Sequence, residues 1–168
     1  VEDDPVEEEE EEEIIPNGKK LYVSPDGNNN NDGLTPTSAV ATFAKAVETA
    51  IDGDTIIMAD GLYSEAYEIK FEKLGVVVMA AEGAKPIVAI KGWATIQAKA
   101  SFIINGITFD GMNDAYYFIA IKGSGLYDIT LKNCEFTGWK QWAISNQYDA
   151  EFTVGKVLVD SCLFDDAP

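Results

Sequence analysis

The chain has 168 residues with a formal net charge of −17, and 46% of its residues are apolar. It is long enough for one domain with a buried core, and no apolar run is long enough to cross a membrane. All 12 cationic residues are lysine and there is no histidine, which excludes guanidinium clamps, imidazole chemistry and, for so acidic a chain, a nucleic-acid partner.

The first predicted segment is an acidic tether over residues 1–18. Ten acidic residues lie within positions 1–13, among them seven consecutive glutamates, and they leave a charge of only −7 for the rest of the chain. Like charges repel each other, and the segment has little apolar surface to bury. We therefore expect it to be disordered and solvated.

Residues 19–53 are predicted to form an N-terminal cap that begins with a strand over residues 20–24. A loop rich in asparagine, aspartate and glycine follows over residues 25–33, and its composition suggests calcium as a possible cofactor. The EF-hand pattern fails there, because Asn31 stands where glycine is needed and Thr37 where the bidentate glutamate is needed. A plain surface loop is the favoured interpretation.

The cap ends with a predicted helix over residues 39–51, for which Thr37 or Ser38 is the expected N-cap. Apolar residues at helical spacing form one stripe on it: Val40, Phe43, Ala44, Val47, Ala50 and Ile51. The stretch 52–54 ends the helix, and residues 55–59 then form a strand.

A repeat organises the last predicted segment, residues 54–168. One apolar pattern occurs three times, at residues 102–111, 129–138 and 157–166. Each copy has an asparagine or serine 28 residues from the next: Asn105, Asn133 and Ser161. Residues 76–80 form an earlier and more degenerate copy.

Each repeat holds short apolar strands but no helix, so one copy cannot bury its own inner face and the copies must stack. Stacked turns of a coil pair each strand in parallel with its counterpart. Hairpins are disfavoured, because the Asn-Gly pair at 105–106 recurs as Asn-Cys and Ser-Cys, which lack the glycine of a tight hairpin turn. The sequence predicts an all-β solenoid in which Asn105 and Asn133 form an amide ladder at a buried corner.

The two cysteines, Cys134 and Cys162, are expected to stack on adjacent rungs as small apolar core residues. A disulfide between them is the alternative, and its geometry is demanding. Two cysteines are too few for a disulfide scaffold or a zinc site.

Several stretches resemble the N-terminal cap of the pectate-lyase-like superfamily of right-handed parallel β-helices. They are residues 21–27, 32–35, 41–47, 53–56 (Gly-Asp-Thr-Ile) and 61–65 (Gly-Leu-Tyr-Ser-Glu). The resemblance covers residues 20–168 and implies an all-β, right-handed parallel β-helix with an N-terminal capping α-helix. This scaffold hosts lyases, hydrolases, epimerases, esterases and binding modules, so the resemblance does not name a reaction.

The acidic leader is similar to that of surface lipoproteins from glycan-degrading Gram-negative bacteria. This similarity implies a secreted or cell-surface location, with an outer-membrane lipid anchor upstream. At the other end, the last predicted strand stops four residues before the end of the chain, and natural solenoids cover such an edge. We expect further rungs beyond residue 168 or a partner chain there.

Polysaccharide lyases need a base and a cation that stabilises the charge on the substrate carboxylate. The resemblance implies lysine or arginine as the base and calcium or arginine as the cation. Without arginine, the base candidates are Lys122, Lys132 and Lys140. The acid candidates are Tyr117 and Tyr148, and the calcium-ligand candidates are Asp110, Asp114 and Asp149. None of them forms a recognised motif, and a solvated surface lysine is the alternative for each base.

Aromatic residues are concentrated between positions 116 and 148, and sugars stack on aromatic faces. The binding candidates are Tyr116, Tyr117, Trp139, Trp142 and Tyr148. Burial in the core or between rungs is the alternative for each. Because Trp139 and Trp142 follow the turn at Gly138, we expect at least one of them to be exposed.

These features favour a secreted or cell-surface protein of polysaccharide-lyase-like type that acts on or binds an acidic polysaccharide. In that hypothesis the catalytic rungs lie partly or wholly beyond residue 168. The alternative is a non-catalytic glycan-binding or surface-assembly module, or an adhesin-like structural solenoid. The sequence alone leaves open whether the chain is an enzyme.

Overall fold

The computed structural model describes residues 18–65, 68–93, 96–122, 125–146 and 155–165. They include one α-helix, α1 (Phe43–Thr49), with a short 3-10 turn before it (Pro36–Ser38). Thirteen strands run through the same residues: β1 (Lys20–Val23), β2 (Thr55–Met58), β3 (Gly61–Glu65), β4 (Ile69–Phe71), β5 (Val76–Ala80), β6 (Pro86–Ile90), β7 (Ile96–Ala98), β8 (Phe102–Asn105), β9 (Thr108–Ile121), β10 (Asp128–Lys132), β11 (Glu135–Asn146), β12 (Lys156–Asp160) and β13 (Leu163–Phe164). No helix within these ranges is long and apolar enough to cross a membrane.

The strands form two parallel sheets, and the chain alternates between them as it winds. The first sheet has the order β1-β2-β5-β8-β10-β12, and the second follows β3-β6-β9-β11-β13. We call β2 to β4 coil 1, β5 to β7 coil 2, β8 and β9 coil 3, and β10 and β11 coil 4; β12 and β13 begin coil 5. The start of β9 pairs with β6 and its end with β7, so β9 covers two faces of the coil. The predicted parallel β-solenoid is confirmed.

Columns of equivalent side chains fill the inside of the coil. Parallel register places Phe136 opposite Phe109 on one side and Phe164 on the other. The three rings stack, with centroids 5.1 and 4.9 Å apart. The early repeat copy is also confirmed, because β5 pairs in parallel with β8. Stacked large rings pack such a core densely, and their burial provides much of the stability of the coil.

The capping helix is shorter than predicted. α1 begins at Phe43, and its N-cap is Thr42, whose side chain accepts a hydrogen bond from the Lys45 N–H at 3.2 Å. The helix packs against β1 and β4 at the start of the coil. Its buried residues include Phe43 and Val47, which cover apolar side chains that would otherwise face water.

The predicted N-caps, Thr37 and Ser38, are wrong. Both residues belong to the 3-10 turn, which has its own capping box around Thr35. After that turn, Val40 forms a parallel bridge with Val23. This bridge keeps the backbone extended just before α1, so a helix cannot begin as early as the apolar spacing suggested.

Two buried carboxylates hold the cap on coil 1. Glu65, at the end of β3, accepts hydrogen bonds from two consecutive backbone N–H groups at the start of α1, that of Phe43 at 2.9 Å and the next at 3.4 Å. Asp54 accepts from the N–H groups of Lys19 at 2.8 Å and Ile51 at 3.0 Å. Both acids lie in stretches that resemble the cap motifs, residues 53–56 and 61–65. The structure shows that they accept hydrogen bonds from backbone N–H groups between the cap and coil 1.

The predicted amide ladder is present, with a different register. Asn133 Nδ2 donates to Asn105 Oδ1 at 2.9 Å. The strands place Lys132 opposite Asn105, so Asn133 follows in line with Gly106 and Ser161. These three residues have φ values of 50°, 76° and 53°. The bend is therefore a column of left-handed residues, and the Asn133–Asn105 bond is exposed to solvent and not buried as predicted.

We expect Asn133→Ala to lower the free energy of unfolding by about 1–2 kcal/mol, because alanine tolerates left-handed backbone poorly and the hydrogen bond is lost. Urea unfolding measures the change. Asn105→Ala is the matched control, since it removes the same bond and leaves residue 133 unchanged, so its effect should be smaller. Equal effects for the two variants would contradict a backbone contribution at position 133.

The asparagine-rich loop uses its polar side chains to fold itself. Asn29 Oδ1 accepts a hydrogen bond from the Ala41 N–H at 2.9 Å. Asp32 Oδ1 accepts from the Leu34 N–H at 3.0 Å and from Ser38 Oγ at 2.7 Å. These bonds give the loop residues a structural role, in line with the favoured interpretation of a plain surface loop.

The two cysteines stack on neighbouring coils, as predicted. The Cys134 N–H donates to Cys162 Sγ at 3.4 Å, and both thiols are free. Burial raises the pKa of the Cys134 thiol to about 12. Cys134 therefore stays protonated at neutral pH and serves as a core residue.

Candidate functional site

One outer face of the coil, close to the bends in β9 and β11, brings together several aromatic side chains. Trp93 lies in the turn after β6, Tyr116 and Tyr117 lie in the second half of β9, and Trp142 lies opposite Tyr117 on β11. We call these four residues the aromatic surface. Three consecutive coils contribute to it, because coil 2 carries Trp93, coil 3 the tyrosines and coil 4 Trp142.

Glycines at the bends make this placement possible. Gly138 has a φ of 69°, and a Cβ atom on Gly111 would collide with the carbonyl oxygen of Gly138. The backbone of the two coils therefore comes very close at this point, as only glycine allows. Met112 and Asn113 also have positive φ values, of 52° and 54°, and complete the change of direction before Tyr116.

The rings of the aromatic surface contact one another in two orientations. Trp93 and Tyr116 stack with centroids 3.9 Å apart and planes 10° apart. Tyr117 and Trp142 are also nearly parallel, at 6.4 Å and 19°. Trp93 meets Tyr117 at 5.7 Å with planes inclined by 64°. Trp93 is 60% exposed and Trp142 50% exposed, and contiguous exposed apolar side chains mark a candidate interaction surface.

An ion pair lies beside these rings. Lys140 Nζ is 2.8 Å from Asp114 Oδ1 and 5.2 Å from the ring centroid of Tyr116. The hydrogen bond from Lys140 lowers the pKa of the Asp114 carboxyl, and the same bond raises the pKa of the Lys140 amine. Lys140 is thus a protonated cation over an aromatic ring, and a poor general base.

The other base candidates lie apart from this surface. Lys122 forms an ion pair with Glu68 at 3.6 Å, and Lys132 lies on β10 in the first sheet. Tyr117 belongs to the aromatic surface, but burial raises the pKa of its phenol, so it is neutral at ordinary pH. Among the described catalytic candidates, Lys140 lies over the ring of Tyr116, the neighbour of Tyr117 in the chain, at 5.2 Å.

The two described calcium-ligand candidates, Asp110 and Asp114, bind different partners. Asp110 accepts a hydrogen bond from the Met112 N–H at 2.7 Å and shapes the bend, while Asp114 pairs with Lys140. Among the described residues, no group of three or more histidine, cysteine, aspartate or glutamate side chains is placed to hold a metal ion. Asp149 and the binding candidate Tyr148 lie outside the described residues.

The two tryptophans after the second bend have different surroundings. Trp139 is only 9% exposed and packs edge-on against Phe118 and Phe164, each with a centroid distance of 6.3 Å. Its side chain belongs to the core, so we leave it out of the aromatic surface. Trp142 is exposed, in line with the expectation for at least one of the pair.

Trp93 was missed by sequence reasoning. It lies outside the stretch in which aromatic residues are dense, and it follows a Lys-Gly turn. A signal was present, because Trp93 precedes Tyr116 by 23 residues and Tyr117 precedes Trp142 by 25. Such spacing, close to one turn of the coil, predicts side chains above one another.

A second concavity, of about 590 Å³, lies beside α1. Its rim carries lysines and glutamates in equal number: Lys45, Lys70, Lys73, Glu48, Glu68 and Glu72. All three glutamates are paired with lysines: Glu48 with Lys45 at 3.0 Å, Glu72 with Lys99 at 2.8 Å and Glu68 with Lys122 at 3.6 Å. Charges of both signs neutralise one another there, so the aromatic surface is the better candidate for ligand binding.

Comparison with known proteins identifies a fold. No protein-family model and no curated protein matches the chain. Among solved structures it is similar to a PL6 family alginate lyase, AlyGC, with 17% sequence identity and a TM-score of 0.67. A mutant of that lyase matches with 19% identity and a TM-score of 0.64. Both alignments cover 89% of this chain and 20% of the lyase.

The chain therefore spans about a fifth of the length of the lyases it matches. At these identities the similarity concerns the fold and carries no residue roles. It agrees with the parallel strand order, the stacked core and the helix at the start of the coil. The chain has the parallel β-helix fold of these lyases, which is the fold that the sequence resemblance implied.

Proposed function

We propose that this chain is part of a secreted or cell-surface protein that acts on an acidic polysaccharide, and that its described coils bind glycan through the aromatic surface. The observation that carries the proposal is the pair of half-exposed tryptophans, Trp93 and Trp142, linked across three coils by Tyr117. Exposed aromatic faces offer apolar area for the C–H surfaces of sugars at a low entropy cost.

Binding suits these coils better than catalysis. A lyase base must be neutral and close to the proton that it removes. Lys140 is held protonated by Asp114, and Lys122 is paired with Glu68. Cleavage, where it occurs, belongs in this proposal to coils outside the described residues. The similar solved structure is that of an alginate lyase, which supports a uronic-acid polysaccharide as the substrate class.

The acidic leader supports a surface location. Residues 1–17 lie outside the described residues. We propose that this acidic leader keeps the coils away from a membrane and that an outer-membrane lipid anchor lies upstream of it. We also propose that further coils or a partner chain cover β12 and β13, since the apolar residues Val157 and Leu163 are exposed there.

Calorimetric titration with oligosaccharides of alginate, polygalacturonate and a neutral glucan tests the binding. We expect Trp142→Ala to weaken the affinity roughly thirtyfold, by about 2 kcal/mol, as for a central aromatic contact. Tyr22→Ala, on the outside of β1, is the control and should bind like the wild type. Failure of all three glycans to bind, or equal affinity of Trp142→Ala and the wild type, would refute the proposal.

A further inference from the structure

An acidic glycan on the aromatic surface needs a cation close by, because the chain beyond its acidic leader carries a net charge of −7 and repels other anions. Two lysines that could provide this cation are already paired, Lys140 with Asp114 at 2.8 Å and Lys122 with Glu68 at 3.6 Å. Lys91 differs from both, because it is exposed and forms no ion pair with any described residue. Its charge is therefore free to bind a ligand.

The turn after β6 places Lys91 next to the aromatic surface. Only Gly92 separates Lys91 from Trp93, so their Cα atoms are at most about 7 Å apart. The Tyr116 N–H donates to the Gly92 carbonyl oxygen at 3.0 Å, and the Tyr116 ring stacks on Trp93 at 3.9 Å. These contacts fix the turn on coil 3, so that Lys91 stays within reach of a ligand on Trp93.

Two lysines lie near the carboxylate of Asp114. The hydrogen bond from Lys140 is the main cause of the lowered pKa of Asp114, and the positive charge of Lys91 adds a smaller effect. Burial raises the pKa of Glu65, and the charge of Lys91 has no part in that shift. The Asp114 carboxylate neutralises one of its two lysines, so one positive charge remains beside the rings.

Open space adjoins Lys91 on the side of coil 1. A concavity of about 320 Å³ is lined there by Ser64, Glu65, Ala89 and Lys91, a volume at the lower end of the range for ligand sites. The Oε1 atom of Glu65 accepts hydrogen bonds from backbone N–H groups of α1 and is directed toward the helix. An anionic group of a ligand therefore has room to approach Lys91.

We propose that Lys91 makes the aromatic surface selective for acidic sugars, by binding the carboxylate of a uronic acid whose ring stacks at Trp93. The inference rests on the proposed function, because it presumes that this surface binds glycan. An exposed ion pair contributes modestly to affinity. The aromatic rings therefore provide most of the binding, and Lys91 provides the preference for an acidic over a neutral sugar.

Matched acidic and neutral ligands test the inference. The probes are the alginate and polygalacturonate oligosaccharides, each used also after its carboxyl groups have been reduced to neutral hydroxymethyl groups. In calorimetric titrations at low ionic strength, we expect the wild type to bind an acidic form about fivefold more tightly than its reduced form. Lys91→Gln removes the charge and keeps the length of the side chain. It should bind both forms equally, with the affinity of the wild type for the reduced form.

Lys85→Gln is the matched control, because it makes the same change in net charge at the other end of β6. Lys85 is exposed and lies six residues before Lys91, about 20 Å away along the strand. This distance exceeds the screening length of about 8 Å at physiological ionic strength. Lys85→Gln should keep the wild-type preference, and urea unfolding should show wild-type stability for both variants.

Three results would overturn the inference and leave glycan binding by the aromatic surface intact. They are equal affinity of the wild type for acidic and reduced forms, a preference that survives in Lys91→Gln, and a preference that Lys85→Gln removes to the same extent. In the last case the net charge of the whole chain, and not Lys91, sets the preference. Absence of binding to any glycan, charged or reduced, would refute the proposed function together with this inference.

Discussion

Replacing Phe136 by alanine is expected to lower the free energy of unfolding by about 3–5 kcal/mol, the cost typical of a buried phenylalanine. Phe136 is fully buried and stacks on both sides, with Phe109 at 5.1 Å and Phe164 at 4.9 Å. Its removal leaves a cavity between two coils that cannot close, because the strand hydrogen bonds hold the coils at a fixed spacing.

Phe164→Ala is the matched control for this prediction. Phe164 belongs to the same column but is 41% exposed and stacks on one side only. We expect Phe164→Ala to lower the free energy of unfolding by less than half as much as Phe136→Ala, since less apolar area leaves the core. Urea unfolding with both variants measures the difference. A similar loss for the two would show that the column does not stabilise the coil through burial.

Glu65→Ala is expected to lower the free energy of unfolding by about 2–3 kcal/mol, because two N–H groups at the start of α1 lose their acceptor. The carboxylate is buried and bonds those groups at 2.9 and 3.4 Å. Glu65→Gln keeps an oxygen acceptor and should be much closer to the wild type. Hydrogen exchange of the α1 amides then separates loss of the cap from loss of the coil.

The pH dependence of the stability of the wild type and of Glu65→Gln gives an independent check on the burial of Glu65. Burial raises the folded-state pKa of Glu65 above its ordinary value of 4.5, although the two backbone bonds oppose the shift. The folded state therefore holds this proton more tightly than the unfolded state, and its stability falls as pH rises from the ordinary to the raised pKa. Glu65→Gln does not ionise, so its stability relative to the wild type should increase from acid to neutral pH. A constant or decreasing difference would contradict a raised pKa.

The repeat made the solenoid predictable, because strands that recur at one spacing can bury their inner faces only by stacking. The three copies at residues 102–111, 129–138 and 157–166 align as the strands pair, and only the match of Asn105 with Asn133 was off by one residue. Asn105 and Asn133 are the same residue type, but the strand register places Asn133 beside Gly106, and both of these residues have left-handed backbone angles. Backbone angle, which several residue types can adopt, determined the register there.

The site was predictable only in part. Tyr116, Tyr117 and Trp142 were binding candidates because aromatic residues are dense in that stretch. The structure brings their rings together with Trp93, and their role in binding stays a prediction. Trp139 belongs to the same stretch, yet its ring packs in the core against Phe118. A sequence records that a tryptophan follows a bend, but the direction of its side chain depends on how the glycines turn the backbone.

The sequence by itself determined the coil, the stacked cysteines and a helix at the N-terminal end, because these follow from periodicity and from the need to bury apolar faces. Only the tertiary structure decided that Glu65 and Asp54 fasten the cap, that Trp93 joins residues from two later coils, and that Lys140 is occupied by Asp114. Each of these depends on contacts between residues 20 or more positions apart, for example Lys140 and Asp114, 26 positions apart. The winding of the coil brings such residues together, and no local pattern in the chain encodes their distance.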